Sequence, residues 1–286
     1  MASDSRLVAI FWFRRDLRLE DNAGLAAALA SGLPVLPLFI FDEDILRELR
    51  DPDDARVEFI HRAVVALDGE LRAAGGVGLK VEKGRPLDVF ARALRELKVG
   101  AAFACQDYEP AAIARDQAVE RLLGESGARL ALVKDHVIFE KREVAKDDGS
   151  PYTVYSPYAR KWRARLAAKD LAPRPSSTPA ALARLLTPAL AKNSGALPPG
   201  LSALPPPPSL AEIGFRPSGL EFPPARLEPK LLARYADCRD LMGEEGSTSR
   251  LGLHLRFGTV SARSLARAAL KAGGRSADVY LGELIW

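Results

Sequence analysis

Three consecutive hydroxyls, Ser247, Thr248 and Ser249, stand before Arg250, Leu251 and Gly252, and an amphipathic stretch follows from Leu253 to Phe257. The first N–H groups of a helix have no intrahelical partner and carry partial positive charge. Hydroxyls and a cation placed there suit phosphate oxygens, although ordinary N-capping uses the same side chains. Upstream, Arg239 has the forked geometry for bidentate phosphate binding; a pair with the adjacent Asp240, or with Tyr235 four residues earlier, is the alternative. Downstream, Glu283 and Trp286 are three residues apart and so share one helix face. Taken alone, a tryptophan at this place is expected to pack in the interior. No rival chemistry presents itself. His61, His136 and His254 have no metal-ligand spacing, the two cysteines, Cys105 and Cys238, are far apart, and neither a nucleophile elbow nor a phosphate-binding P-loop occurs.

These residues need elements to position them, and the chain changes character twice. In the first 139 residues, short apolar runs at 7–13, 34–41, 77–81, 101–105 and 130–139 alternate with helical patterns at 22–30, 54–74, 86–98 and 110–125. Runs that are apolar throughout read as strands buried on both faces. Pro86 and Pro110 sit where a helix starts, and Gly75-Gly76 where one stops. The alternation predicts an α/β fold: a doubly wound, five-stranded parallel sheet that folds independently over residues 7–139. The loop after the first strand, Arg14-Arg15-Asp16-Leu17-Arg18-Leu19-Glu20-Asp21-Asn22, is not a glycine-rich dinucleotide fingerprint. Asp21 is expected to cap the next helix, with the arginines paired to Asp16 and Glu20. Residues 140–229 read as a connector; from 173 it holds fourteen of the 21 prolines and so supports only short helices, such as 180–186, and extended chain. Helices are expected again at 231–242, 249–257, 261–270 and 279–286, with Ser261 as a cap and Gly258 as a stop.

Composition bounds the class. The chain has 286 residues, 48% hydrophobic and 27% charged, as expected of a globular protein with ample length for a core. No apolar run approaches the roughly 18 residues of a membrane span, no secretory signal is expected at the N-terminus, and a reducing, cytoplasmic setting fits the two unpaired cysteines. The net charge of +4 is unevenly spread. Residues 246–277 and 149–169 contain no acid but many arginines and lysines, a pattern that attracts phosphate backbones or marks solvated faces balanced by acids elsewhere.

The order Tyr235, Arg239-Asp240, Thr248-Ser249-Arg250-Leu251-Gly252, Phe257-Gly258 and Glu283-Leu284-Ile285-Trp286 resembles the flavin domain of the photolyase/cryptochrome family. The pattern there is Tyr, Arg-Asp, Thr-Ser-x-Leu-Ser, Phe-Gly, Glu-Leu-x-Trp. Gly252 departs from it, since it replaces the final serine. The loop from Arg14 to Asn22 is similar to the family's Arg-Arg-Asp-Leu-Arg-x-x-Asp-Asn signature. The resemblance implies an α/β domain (1–139), a connector (140–229) and the first helices of an all-α FAD-binding domain (230–286), with about half of that domain missing. It implies that Tyr235 packs beside FAD and that Thr248, Ser249, Arg250, Leu251 and Gly252 hold its pyrophosphate. It further implies that Arg239 contacts a DNA phosphate and that Tyr280, Glu283 and Trp286 line the cavity for a flipped pyrimidine dimer. The implied activity is light-driven dimer repair by electron transfer from reduced FAD, with a blue-light photoreceptor or a short non-catalytic chromophore- or partner-binding protein as alternatives. Ala111 and Ala112 replace the Asn-Glu pair that holds a folate antenna, so folate is not expected, and a deazaflavin, a second flavin or no antenna remains. The carboxylate facing the flavin and the electron-conducting tryptophans lie in the absent half, so weak or no FAD retention is expected of this chain alone. The expected partner is DNA containing pyrimidine dimers, the expected state a monomer, and neither a metal nor a membrane is expected.

Overall fold

The computed structural model describes residues 7–194, 196, 203–241 and 243–286. The strands are β1 (Leu7–Phe13), β2 (Val35–Asp42), β3 (Lys80–Gly84), β4 (Lys98–Cys105) and β5 (Leu130–Val133). In chain order the helices are α1 (Ala23–Leu29), α2 (Glu43–Leu46), α3 (Ala55–Ala73), α4 (Pro86–Glu96), α5 (Pro110–Glu125), α6 (Tyr155–Arg165), α7 (Pro179–Leu182), α8 (Pro188–Ser194), α9 (Leu210–Ile213), α10 (Pro229–Cys238), α11 (Gly252–Phe257), α12 (Ala262–Ala272) and α13 (Gly274–Ile285). They form two compact units, one made of residues 1–135 and 174–222, the other of 136–173 and 223–286.

The first unit is the doubly wound parallel sheet expected from the buried runs, in the order β3-β2-β1-β4-β5. Ile10, Trp12, Leu36, Leu38, Ala102 and Ala104 stack against α4 and α5, where Phe90, Val119 and Leu123 are sealed from water. Pro86 and Pro110 open α4 and α5, since a missing N–H costs nothing in a first turn. Three strands differ from expectation, β4 by starting at Lys98 rather than at 101. At the sheet edge β3 starts later, at Lys80, because the buried Val77 and Leu79 form the approach to the strand rather than its body. Meanwhile β5 stops at Val133, and Ile138 and Phe139 belong to the core of the second unit.

The loop after β1 is held differently from the local pairing expected. Asn22 caps α1 by accepting from Leu25 N–H at 2.9 Å, while Asp21 takes a left-handed φ of 49° and accepts the N–H of Arg174 at 2.9 Å. Arg14 pairs with Asp116 and the Cys105 carbonyl, Arg15 with Asp107 and Glu109, and Arg18 with the buried Asp135 at 2.7 Å. Asp16 is sealed and accepts from Arg14 N–H and Asn22; burial pushes its carboxyl above the usual range.

The proline-rich chain does more than drape. Leu186 N–H donates to Val35 O at 2.7 Å, Val35 N–H to Arg184 O at 2.9 Å, Val77 N–H to Leu186 O at 3.0 Å and Leu204 N–H to Val77 O at 3.0 Å. Leu185 and Leu186 are fully buried, and their segment belongs to the same compact unit as the sheet. Prolines between leucines leave the leucine carbonyls and N–H groups free to pair outside the segment. The connector expected over 140–229 is therefore shared between the two units.

The second unit is helical. Its core joins Ile138, Phe139 and Trp162 to Leu232, Tyr235, Leu265, Tyr280 and Leu281. Ser261 caps α12, and Gly258 ends α11 in the left-handed conformation (φ 66°), both as expected. Between α12 and α13, Gly273 has φ 64° and ψ −177°, a region essentially closed to side-chain-bearing residues. Of the expected helix 231–242, Met242 lies outside the described residues, and the observed helix ends at Cys238.

Candidate functional site

Within the helical unit, α10 and α13 pack side by side, and a Ser276 hydroxyl bound to Ala236 N–H at 3.3 Å ties them together. On α10, Tyr235 and Arg239 are one turn apart; on α13, Tyr280 and Glu283 are one turn apart. The helices therefore place ring against ring and charge against charge. The tyrosines meet edge to face with centroids 5.1 Å apart, and Arg239 pairs with both Glu283 and Asp240. The Asp240 alternative thus holds only in part, because the cross-helix pair is also made. Tyr280 is 2% exposed, and burial pushes its phenol to about 12 against the opposing pull of a hydrogen bond with Ser249. Burial, reinforced by the Glu283 charge, raises the Tyr235 phenol as well. Both phenols stay neutral, and so act as donors or packing surfaces rather than as bases.

The hydroxyl run lies beside this pair. Its loop is pinned at one end by Arg234, which binds Glu244 at 2.9 Å and the Gly246 carbonyl at 3.3 Å, and at the other by the sealed Leu251. Arg250 takes a left-handed φ of 51°, so helix α11 starts only at Gly252 and no side chain caps it. Ser249 Oγ accepts the N–H of Leu251 at 3.4 Å, an ST-turn rather than an N-cap. Ser247 is buried, whereas Thr248 and Arg250 are exposed and Arg250 has no acidic partner among the described residues. A Cβ on Gly252 would meet nothing within 4 Å, so packing does not require the glycine that replaces the family serine. His254 spends both ring nitrogens on Thr259 and the Pro223 carbonyl, at 2.7 and 2.8 Å, which makes it structural.

Trp286 does not join the tyrosine pair. It is 72% exposed, which rules out interior packing, and stands edge-on to Tyr155 at 5.5 Å and Tyr158 at 6.0 Å. Tyr155 also donates to the Gly282 carbonyl at 3.1 Å. Tyr155 was not among the expected site residues, although Tyr155 and Tyr158 stand three residues apart ahead of Trp162. The basic stretches resolve unevenly. Lys161 pairs with Asp147, Arg163 with Asp278 and Arg275 with Asp237, and Arg263 is buried. Arg160, Lys169, Arg250 and Lys271 are exposed without acidic partners among the described residues. In the α/β unit, Ala111 and Ala112 form the first turn of α5 and offer methyl groups only. No cluster of described residues could hold a metal, and no helix of the described residues is long and apolar enough to cross a membrane.

The DNA photolyase family pattern matches residues 9–180, which is more than half of the chain. This chain belongs to the DNA photolyase family. It is similar to the deoxyribodipyrimidine photo-lyase of Halobacterium salinarum, with 33% identity over 97% of this chain and 59% of that protein. It is also similar, at 30% identity over 91% of this chain and 88% of the relative, to an uncharacterized 31.6 kDa protein of Synechococcus sp. strain PCC 6716. Among solved structures, the photolyase of Sulfolobus tokodaii, described with two FAD molecules, superposes with a TM-score of 0.69 at 25% identity, covering 97% of this chain and 57% of that one. The chain thus spans under three fifths of the photolyases it matches, and it carries their α/β fold followed by helices.

Proposed function

We propose that this chain supplies the phosphate-holding loop and lesion-facing helices of a light-driven DNA photolyase that splits cyclobutane pyrimidine dimers. The observation that carries the reading is the Tyr235–Tyr280, Arg239–Glu283 and Ser249 cluster beside an exposed loop with an unpaired Arg250. The residues fit a dinucleotide pyrophosphate: two hydroxyls, one uncompensated guanidinium and an unobstructed backbone at Gly252 converge in one loop. When bound, reduced FAD supplies the photoexcited electron donor.

The chain's own residues do the rest. Thr248, Ser249 and Arg250 hold the pyrophosphate, and the neutral Tyr235 and Tyr280 give an apolar, protonated wall that excludes water. Arg239, held against Glu283, takes a DNA phosphate by exchanging one anionic partner for another. Trp286 offers an exposed indole on which an extruded base can stack, offsetting unstacking costs of a few kcal/mol. The loss of the Asn-Glu pair at Ala111 and Ala112 leaves folate without its hydrogen bonds, so an antenna, where one is used, is of another class.

Flavin titration tests the reading. FAD is expected to quench its own fluorescence on binding, weakly with this chain, and at least tenfold more weakly after Thr248→Ala with Ser249→Ala. Binding indifferent to both substitutions would remove the loop from the site. Blue-light repair of a dimer-containing oligonucleotide separates repair from a signalling role: no repair is expected of this chain alone, and repair regained once the remaining helices of the flavin domain are added should be lost on Trp286→Ala.

A further inference from the structure

A cavity of about 300 Å³ opens in the α/β unit at the carboxyl ends of β2 and β3, lined by none of the flavin-loop or lesion-facing residues. Its apolar lining comes from Leu46, Leu49 and Pro52 after β2, and from Ile213 and Phe215 at the end of α9. The α9 wall is built firmly. Gly214 turns the chain left-handed (φ 96°), Arg216 N–H donates to the Pro52 carbonyl at 2.8 Å, and its guanidinium pairs with Asp53 at 3.0 Å. Five charges line the cavity. Arg47 is spent on Glu43 at 2.8 Å, whereas Arg50 and Lys83 have no anionic partner among the described residues, leaving Asp51 as the remaining carboxylate. Two free cations over an apolar floor select an organic anion, and an arginine fork beside a lysine point charge suits a phosphate. Asp51 can accept from a hydroxyl. The volume is at the small end of ligand sites and too small for a dinucleotide.

We propose that this cavity is a second site, for a nucleoside monophosphate: the phosphate between Arg50 and Lys83, the base over Leu46, Leu49 and Phe215, and the sugar hydroxyls toward Asp51. It is independent of the flavin reading. Calorimetric titration of the full chain with AMP, adenosine and inorganic phosphate tests it. AMP is expected to bind at least tenfold more tightly than either half-probe. Arg50→Ala with Lys83→Ala should weaken AMP at least tenfold while leaving adenosine unchanged, and Phe215→Leu should weaken AMP and adenosine alike. All three side chains lie at the surface of the cavity, and circular dichroism checks that the variants fold. Thr248→Ala with Ser249→Ala should leave AMP binding unchanged, which separates this site from the flavin loop. AMP that binds no better than phosphate, or that ignores the Arg50 and Lys83 substitutions, overturns the proposal.

Discussion

Tyr155 does two jobs with one ring: its hydroxyl holds the Gly282 carbonyl and its edge meets the indole of Trp286. A Cβ at Gly282 would come within 2.9 Å of that hydroxyl, so the contact also explains the glycine. Trp12 and Trp162 are only 2% and 3% exposed, so acrylamide quenching of the fluorescence reports mainly on Trp286. Tyr155→Phe is expected to raise the quenching constant while costing no more than about 1 kcal/mol, since one partly exposed hydrogen bond is lost. Tyr280 gives a pH signature. Its phenol titrates near 12 when folded and near 10 when unfolded. Below pH 10 both states hold the proton; between 10 and 12 only the folded state does. Stability contributed by this group is therefore lost as pH rises through that window. The difference in urea midpoint between the wild type and Tyr280→Phe should shrink from pH 10 to 12, and a constant difference would contradict the shift.

Helix starts and stops were legible wherever one residue decides them. Pro86 and Pro110 opened helices, and Ser261 and Gly258 bounded them, because these signals act through the local backbone. The hydroxyl run misled as a cap, since nothing in the composition says that Arg250 takes a left-handed turn and delays α11 by three residues. Gly252 at the head of that helix has open space around it and an ordinary φ. Gly252→Ser is expected to leave stability unchanged or raise it by up to about 1 kcal/mol, and to tighten FAD, as read by urea unfolding and flavin titration. The opposite result belongs to Gly273, where φ 64° with ψ −177° excludes a side chain. Gly273→Ala should cost about 1–3 kcal/mol by urea unfolding.

For the whole molecule, the parallel sheet could be read from five buried runs, but its closure could not. Proline content marks residues 173–229 as irregular chain, and irregular chain is ordinarily outside a core. Leu185, Leu186 and Leu204 reverse that, through backbone pairs to Val35 and Val77 that join residues more than a hundred apart. A fragment of residues 1–222 is expected to unfold cooperatively and one of 1–139 is not, as judged by circular dichroism in urea. Leu186→Ala should cost roughly 2–5 kcal/mol, the range for a large buried side chain cut to a methyl.

The same threading has a consequence on the ribosome. Both units draw on two separated stretches of the chain, so the polypeptide leaves each one unfinished before returning to it. A nascent chain that has emerged to residue 135 carries five strands with no cover for Val35 and Val77, and the next residues out belong elsewhere. Translation proceeds at roughly 5–20 residues per second, so several seconds pass before Leu186 and then Leu204 arrive. Through that interval the sheet lacks its closing segment, and expression yield is expected to depend on translation speed between those two points.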